Sequence, residues 1–383
     1  MRGYTIPLAI LYVAGSLGAQ TGNKLVINTD SPEGKLITQI GQDSDAAKKI
    51  SDSEQFLAQY PKHEGVSWVY GQLVPAYSQH GDYDKALDAA AKAMALDPNN
   101  LEIAYAALKA AEAKKDPDLV IKWSGETSQA ARNIVKAPQP AGADADDWKK
   151  RVDYAQQVDT YAEYSLYAMA LQQAGSQKTI YLFDALERSD PKSQYLPKLY
   201  GVYLVALNQT GQTAKVLPFA EHAIESDPSN EDLLLVLANG ALNQKDNAKT
   251  LQYASKLAET MNAKPKPDGV SDADWQKKKE ACLGRAYWMM GAVHSDQKKY
   301  VEADKELRQA LPYIQGDNQL RAGALFYLGV ANYTLGKGKS RQRLADALKF
   351  SQESAAIKSP YQALAQKNAQ SIKTETGGGR GAR

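Results

Sequence analysis

The sequence is poor in the residues that covalent frameworks and metal centres require. Among 383 residues there are one cysteine and four histidines. A single cysteine excludes an internal disulfide framework and any cysteine-rich zinc module. The charges nearly balance, with 46 Lys and Arg against 44 Asp and Glu. The chain therefore lacks the strongly basic surface that general nucleic-acid binding requires.

The sequence also lacks the motifs that mark common active sites. It has no Gly-x-Ser-x-Gly elbow for a nucleophilic serine, and no glycine-rich phosphate loop follows a strand pattern. None of the histidines has a second histidine or cysteine at metal-ligand spacing. We therefore predict a non-catalytic protein with no cofactor and no bound metal. An enzyme that brings distant carboxylates together stays an open alternative.

Aspartates precede Trp148 and Trp275 in two similar segments, which raises the question of a metal site. Their spacing lacks the alternating acids and the distal glutamate of a calcium loop. Asp144 and Ser271 instead match helix N-caps with an acid three residues on. Helix capping is the favoured interpretation, and a metal site is the alternative.

The one long apolar run lies at the beginning of the chain. Residues 1–19 contain Arg2, an apolar run over 6–14 and small residues that end at Ala19. This layout predicts a secretory signal peptide, because such a short run cannot span a bilayer. A buried N-terminal helix is the alternative. No later uncharged run approaches 18 residues, so we expect an exported chain, periplasmic, secreted or associated with the cell surface, without a transmembrane span in its mature form.

Alanine is the residue in excess, with 58 copies against 27 glycines and 16 prolines. Because alanine is the best helix former, a largely helical protein is expected. Cys282 lies in an apolar stretch that fits one helix face. This position favours a small buried side chain over an intermolecular disulfide.

Residues 67–100 contain two helical patterns joined by a turn. The first spaces its apolar residues at three and four, the turn carries a glycine, and the second is a stripe of alanines that a proline ends. In chain order these residues are Tyr70, Leu73, Val74 and Tyr77, then Gly81, then Ala86, Ala90 and Ala93, and finally Pro98.

This order of residues resembles the tetratricopeptide repeat, a helix–turn–helix unit of 34 residues. The resemblance implies an all-α fold, a right-handed helical-repeat solenoid in which the first helix of each pair lines a concave groove. It also implies that a partner peptide or helix binds along that groove. The Lys/Asn/Arg pattern with which some members bind a C-terminal carboxylate is not found at the matching places.

The same register recurs downstream and sets the predicted organisation. We predict seven or eight TPR-like helix pairs and a C-terminal capping helix, which the end of a repeat array needs. Two similar blocks cover about 67–191 and 197–317, and their proline-rich insertions at 136–150 and 264–278 resemble each other. The predicted segments are a signal peptide at 1–19, a degenerate helix pair within 20–66, a solenoid at 67–359 with its last unit at about 322–359, a capping helix at 360–375, and a disordered Gly/Arg tail at 376–383.

Function is expected on the exposed side of the first helices. Amide and aromatic side chains predominate there and cations are few, which suits the backbone and side chains of a bound polypeptide. We predict a non-catalytic exported scaffold that binds a protein or peptide partner and no nucleic acid. The alternatives are a helical-repeat enzyme acting on envelope glycans or peptides, and a polyanion-binding surface protein. The candidate groove residues are Trp68, Gln72, Gln79, Tyr105, Lys109, Met169, Gln172, Asn208, Gln209, Asn239, Asn243, Trp288, Phe326 and Tyr333.

Overall fold

The computed structural model describes residues 28–29, 31–267 and 269–377. Every regular element in these ranges is a helix, and the predicted all-α helical-repeat fold is confirmed. The predicted signal peptide lies outside the described residues, as do residues 378–383 of the predicted tail.

The helices alternate as first and second members of eight pairs, followed by one more helix. The first helices are α1 Pro32–Gln42, α3 Val66–His80, α5 Leu101–Lys114, α7 Ala145–Gln172, α9 Leu196–Gln209, α11 Glu231–Asn243, α13 Asp272–Asp296 and α15 Asn318–Gly336. The second helices are α2 Ala46–Gln59, α4 Tyr83–Leu96, α6 Pro117–Lys136, α8 Gln177–Ser189, α10 Val216–Ala223, α12 Asn247–Ala263, α14 Tyr300–Ala310 and α16 Arg341–Ala355. A 3₁₀ turn, Thr213–Lys215, precedes α10, and α17 Gln362–Gly377 ends the described chain.

Seven of the eight turns within the pairs contain one residue with left-handed backbone. At Gly81 φ is 88°, and the amide of Asp82 donates to the carbonyl of Tyr77, which closes the end of α3. Glycine adopts this backbone without strain, whereas other residues pay about 1–2 kcal/mol for it. The positions in order are Gly81, Lys115, Gly175, Gly211, Lys245, Lys298 and Gly338.

Small side chains let the two helices of a pair approach each other closely. Ala86, Ala90 and Ala93 on α4 are each 0% exposed, as the alanine stripe predicts. In the pair of α13 and α14, a Cβ on Gly291 would lie 2.5 Å from Cγ of Leu307, so only glycine fits there. The helices of these two pairs are thus tightly packed, as in protein interiors generally.

The two aspartate-rich segments cap helices, and the capping prediction is confirmed. Oδ1 of Asp144 accepts from the amides of Asp146 and Asp147 at 2.9 and 3.0 Å. Oγ of Ser271 accepts from the amide of Asp274 at 3.1 Å. Trp275 is buried in the core of α12 and α13.

The chain divides within α7 into two compact units, residues 1–162 (unit 1) and 163–383 (unit 2). In each unit, consecutive first helices are neighbours. In unit 1, α1 contacts α3, α3 contacts α5, and α5 contacts the part of α7 before residue 163. In unit 2, α9, α11, α13, α15 and α17 contact one another in that order. The predicted duplication of 67–191 as 197–317 stays a prediction.

Candidate functional site

The first helices contain long stretches without Asp, Glu, Lys or Arg. In unit 2 these stretches are 199–209 on α9, 233–243 on α11, 286–293 on α13 and 322–336 on α15. In contrast, no stretch of α8, α12, α14 or α16 without these residues is longer than six positions. Because neighbouring first helices lie side by side, the uncharged stretches of unit 2 share one surface that is poor in charge. We call this the first-helix surface of unit 2. Charged groups border it, among them Asp232 beside Gly201 and the Lys337–Glu375 pair beside Tyr333.

In unit 1 the predicted residues of α3 lie at the surface to different degrees. Trp68 is half-buried and packs against the core formed by Ile37, Ile40 and Phe56. Gln72 is half-buried and Gln79 is exposed. Trp68 therefore joins α1 to α3, whereas Gln79 is available to a partner.

Tyr105 and Lys109 on α5 belong to a polar aromatic cluster with Glu112 and with Tyr161 of α7. The rings of Tyr105 and Tyr161 meet edge to face, with centroids 5.4 Å apart. Nζ of Lys109 donates to Oη of Tyr161 at 2.5 Å and to Oε2 of Glu112 at 2.7 Å. Tyr161 in turn donates to the carboxylate of Glu112 at 2.9 Å. The charges of Lys109 and Glu112 thus compensate each other within the cluster.

The pKa of Lys109 reflects this pairing. Burial alone would lower it, but the hydrogen bonds to Glu112 and Tyr161 outweigh burial and raise the pKa above its ordinary value. The ammonium group also lies 4.7 Å from the centroid of the Tyr161 ring, a cation–π contact. Lys109 is therefore charged at neutral pH and held in place by groups of its own chain.

In unit 2, one predicted surface residue is buried. Met169 is 3% exposed, so it is a core residue and its assignment to an accessible groove is wrong. Met169 faces the core together with Leu166 and Ala170 of α7, whereas Gln172, the last residue of that helix, is exposed.

The predicted amides of α9 and α11 are exposed. Asn208 and Asn239 each donate from Nδ2 to the carbonyl four residues earlier in their own helix, both at 2.9 Å. Each side chain keeps its carbonyl oxygen available as an acceptor. Gln209 and Asn243 are also exposed. A polypeptide beside these residues would meet several amides and few charged groups, such as Asp232 of α11.

The predicted aromatic residues of α13 and α15 are half-buried. Trp288 packs between the core of α12 and α13 and the core of α14 and α15. The rings of Phe326 and Tyr361 have centroids 5.5 Å apart. The hydroxyl of Tyr333 donates to Glu375 of α17, so that the last helix covers part of α15.

Sequence reasoning missed three aromatic residues of these surfaces. Tyr161 follows the long insertion before α7, where the repeat register is lost. Tyr313 and Tyr361 lie in the connections before α15 and α17, which the helix register does not place. One recurring signal could have found them, because Tyr195, Tyr313 and Tyr361 all stand in a short connection and pack against a ring of the preceding first helix.

Two further properties of the described residues bear on function. No group of three or more His, Cys, Asp or Glu side chains comes close enough there to hold a metal ion. No helix in these ranges combines the length and apolarity needed to cross a membrane.

Comparison with known proteins adds one specific match. Residues 69–100 match the family model described as "Tetratricopeptide repeat". A search of curated proteins found no match. Among solved structures, the TPR domain of P58(IPK) aligns at 11% identity over 92% of this chain and 100% of that chain, with a TM-score of 0.30.

Two other solved structures align over most of the chain. Yeast Tom70 does so at 13% identity, over 91% of this chain and 97% of that chain, with a TM-score of 0.34. The APC/C hetero-tetramer Cut9–Hcn1 does so at 14% identity, over 91% and 85%, with a TM-score of 0.22. Because these TM-scores are low, the fold is assigned from the helix pairs of this chain and from the matched repeat.

Proposed function

We propose that this helical-repeat protein, whose residues 69–100 form a tetratricopeptide repeat, is a non-catalytic scaffold that binds a segment of another polypeptide along its first helices. Helical-repeat proteins bury their apolar faces between neighbouring pairs and leave an extended surface of aligned helices for binding. The proposal takes the first-helix surface of unit 2 and the exposed residues of α3 and α5 in unit 1 as the binding surfaces.

The observation that carries the proposal is the separation of charge between the two sets of helices. In unit 2 the first helices are free of charged residues over stretches of 8 to 15 positions, although α13 carries eight charged residues outside its stretch, whereas no uncharged stretch of α8, α12, α14 or α16 exceeds six positions. A surface selected only for solubility would carry charge throughout, as the second helices do. Amides, tyrosines and a tryptophan provide hydrogen-bonding groups and contact area in its place.

The same separation defines what the surface accepts. A charged partner group buried on it would lose hydration and find few opposite charges, which costs free energy. An uncharged polypeptide segment loses little free energy on binding, because its backbone groups can form hydrogen bonds with the exposed amides of Asn208, Asn239 and Asn243. We therefore expect partner binding to depend little on ionic strength.

Site-specific photocrosslinking tests the proposal. A benzophenone amino acid is introduced singly at Gln79, Asn208 or Asn243, which are exposed on first helices. Matched controls carry it at Glu126 and Lys256, which are exposed on second helices. Irradiation in extract of the source cells should give discrete protein adducts from the first three positions and none from the controls. Adducts of equal yield from both sets would show that the first helices are not the binding surface.

Salt dependence separates this function from polyanion binding. Crosslink yield at Asn208 and Asn243 should change by less than twofold between 50 and 500 mM NaCl, since few charges take part. A polyanion surface would lose affinity steeply over the same range because bound counterions are released. A steep loss together with retention on heparin would favour the polyanion alternative.

We also propose that the chain is exported, on the sequence pattern of residues 1–19 alone. N-terminal sequencing of protein purified from its native cells tests this. The expected mature chain begins near Gln20 and is found outside the cytoplasm. A chain that retains residues 1–19 in the cytoplasmic fraction would contradict it.

A further inference from the structure

Six aromatic side chains of unit 2 are gathered at the first-helix surface around α13 and α15. None of them is fully buried, and Tyr313 is 38% exposed. Three of them pack against the same small core, and each of the other three contacts one of these rings, so the six form one patch at its edge. We call this patch the aromatic surface; its members are Tyr287, Trp288, Tyr313, Phe326, Tyr327 and Tyr361.

Three rings at its centre are in mutual contact. The centroids of Phe326 and Tyr327 are 5.4 Å apart, those of Phe326 and Tyr361 5.5 Å, and those of Tyr327 and Tyr361 5.8 Å. The rings of Tyr327 and Tyr361 are inclined at 65°, and those of Phe326 and Tyr327 at 62°. Inclined rings in contact present ridges with shallow furrows between them.

Gly323 of α15 lets the rings of Tyr361 and Trp288 pack against the helix backbone. A Cβ on Gly323 would lie 3.0 Å from Cε2 of Tyr361 and 3.3 Å from Nε1 of Trp288. Both rings therefore lie directly on the backbone of α15. Nε1 of Trp288 is buried and has no hydrogen-bond acceptor among the described residues. The other pair, Tyr287 and Tyr313, stacks at 6.5 Å with an angle of 21°.

The helical stretches that hold the surface are uncharged. Residues 286–293 and 322–336 contain no Asp, Glu, Lys or Arg. Burial, the nearby Tyr361 and Asp296, and a hydrogen bond with Tyr361 raise the pKa of Tyr327, so its hydroxyl stays protonated at physiological pH. The surface thus offers ring faces and protonated hydroxyls, and the charge near it is that of Asp296 beside Tyr327.

We propose that the aromatic surface binds an uncharged, proline-containing segment of the partner in the extended polyproline II conformation. The proposal rests on the proposed function and specifies its ligand. Proline rings are flat, apolar and rigid, and they fit furrows between inclined aromatic rings. The polyproline II backbone has no internal hydrogen bonds, so its carbonyls accept from tyrosine hydroxyls at the edge.

The geometry disfavours two other ligands of aromatic clusters. A quaternary ammonium group needs space between ring faces, and the three central rings leave none because they touch one another. A sugar needs one flat, open platform, whereas the central faces are inclined at more than 60° along two of the three contacts. A rod-like chain of prolines uses ridges and furrows in succession.

Fluorescence anisotropy with a labelled, uncharged decaproline peptide and the full chain tests the inference. We expect saturable binding that changes by less than twofold between 50 and 500 mM NaCl. Tyr361→Leu keeps apolar volume on Gly323 but removes the ring, and it should weaken binding at least tenfold. The matched control is Tyr181→Leu, which removes a ring that is 46% exposed on the second helix α8 of the same unit. Circular dichroism checks that both variants stay folded.

Several results would overturn the inference. The first is the absence of saturable decaproline binding, and the second is an equal loss of decaproline affinity in the Tyr181→Leu and Tyr361→Leu variants. The third is binding of a decapeptide of alternating Glu and Lys as tightly as decaproline. The fourth is binding of maltoheptaose that Tyr361→Leu abolishes. If decaproline fails to bind while photocrosslinks at Asn208 and Asn243 persist, the ligand assignment falls and the proposed function stands. If the crosslinks fail as well, both fall.

Discussion

Replacing Glu231 by glutamine tests how much one buried ion network stabilises unit 2. The side chain of Glu231, at the start of α11, is only 7% exposed. Its two carboxylate oxygens accept from Nζ of Lys264 at 2.6 Å and from Nζ of Lys278 at 2.8 Å. Nζ of Lys278 also lies 2.8 Å from the carboxylate of Asp232. The network joins α11 to α13 and to the connection between α12 and α13.

The pKa of Glu231 sets the size of the effect. Burial alone would raise it, but the hydrogen bonds from Lys264 and Lys278 prevail and lower the pKa from 4.5 to about 2. Since one pKa unit is worth about 1.4 kcal/mol, the charged carboxylate contributes about 3 kcal/mol at neutral pH. The lysine side chains are 34% and 38% exposed and can partly rehydrate. We therefore expect Glu231→Gln to lower the free energy of unfolding by about 2 kcal/mol at pH 7.

The pH dependence follows from the direction of the pKa change. The folded pKa lies below the unfolded value, so the stabilisation is complete above pH 4.5 and disappears as the pH falls towards about 2. The difference between wild type and variant should fall to less than half by pH 3. Urea unfolding followed by circular dichroism at pH 7, 5 and 3 measures it. Glu225→Gln, at an exposed position, is the control and should change little. A difference at pH 7 that persists unchanged at pH 3 would refute the electrostatic reasoning.

Three further predictions concern local features. Asp116 caps α6 through the amides of Asp118 and Leu119, so Asp116→Ala should cost about 1 kcal/mol in urea unfolding while Asp116→Asn costs little. Gly291→Ala should destabilise the chain by about 1–3 kcal/mol because its Cβ meets Leu307, whereas a shift of the thermal midpoint below 1 °C would show slack packing there. Burial raises the pKa of Cys282 to about 11, so Ellman's reagent should react with it only in denaturant, and rapid labelling of folded protein would disprove its burial.

The helix pairs were predictable from sequence because they obey a short-range register. Spacings of three and four predict the faces of α3 and α9, and Pro98 and Pro228 follow the ends of second helices. Asp144 and Ser271 were predictable as caps because capping depends on a few consecutive residues. Such signals need no knowledge of distant parts of the chain.

The turns were only partly predictable. Glycines mark four of the seven left-handed turn positions, but lysines occupy the other three. Conformational propensity does not predict a lysine with φ near 60°, because the pairing of two helices fixes its backbone. The repeat spacing does predict two of these lysine positions, since Gly81 and Lys115 stand 34 residues apart, as do Gly211 and Lys245.

The candidate surface was less predictable than the fold. Helical register predicts that Asn239 and Asn243 are exposed, and in the structure they are. The same register predicts exposure for Met169, whose side chain is buried. Tyr361 lies in a connection, and its place on Gly323 depends on how α17 returns along α15 and α16. Contacts of this kind arise from tertiary packing, which no local pattern encodes.

The enclosed position of the chain's single thiol has a practical consequence. Because the thiol of Cys282 is buried, it need not be removed by mutation before thiol-reactive probes are attached to introduced cysteines. Lys115 and Lys298 are exposed residues of two turns, one in each unit, where a cysteine would replace one non-glycine residue by another. Spin labels or dye pairs at these two turns would then report directly on the distance between the units as a partner is added.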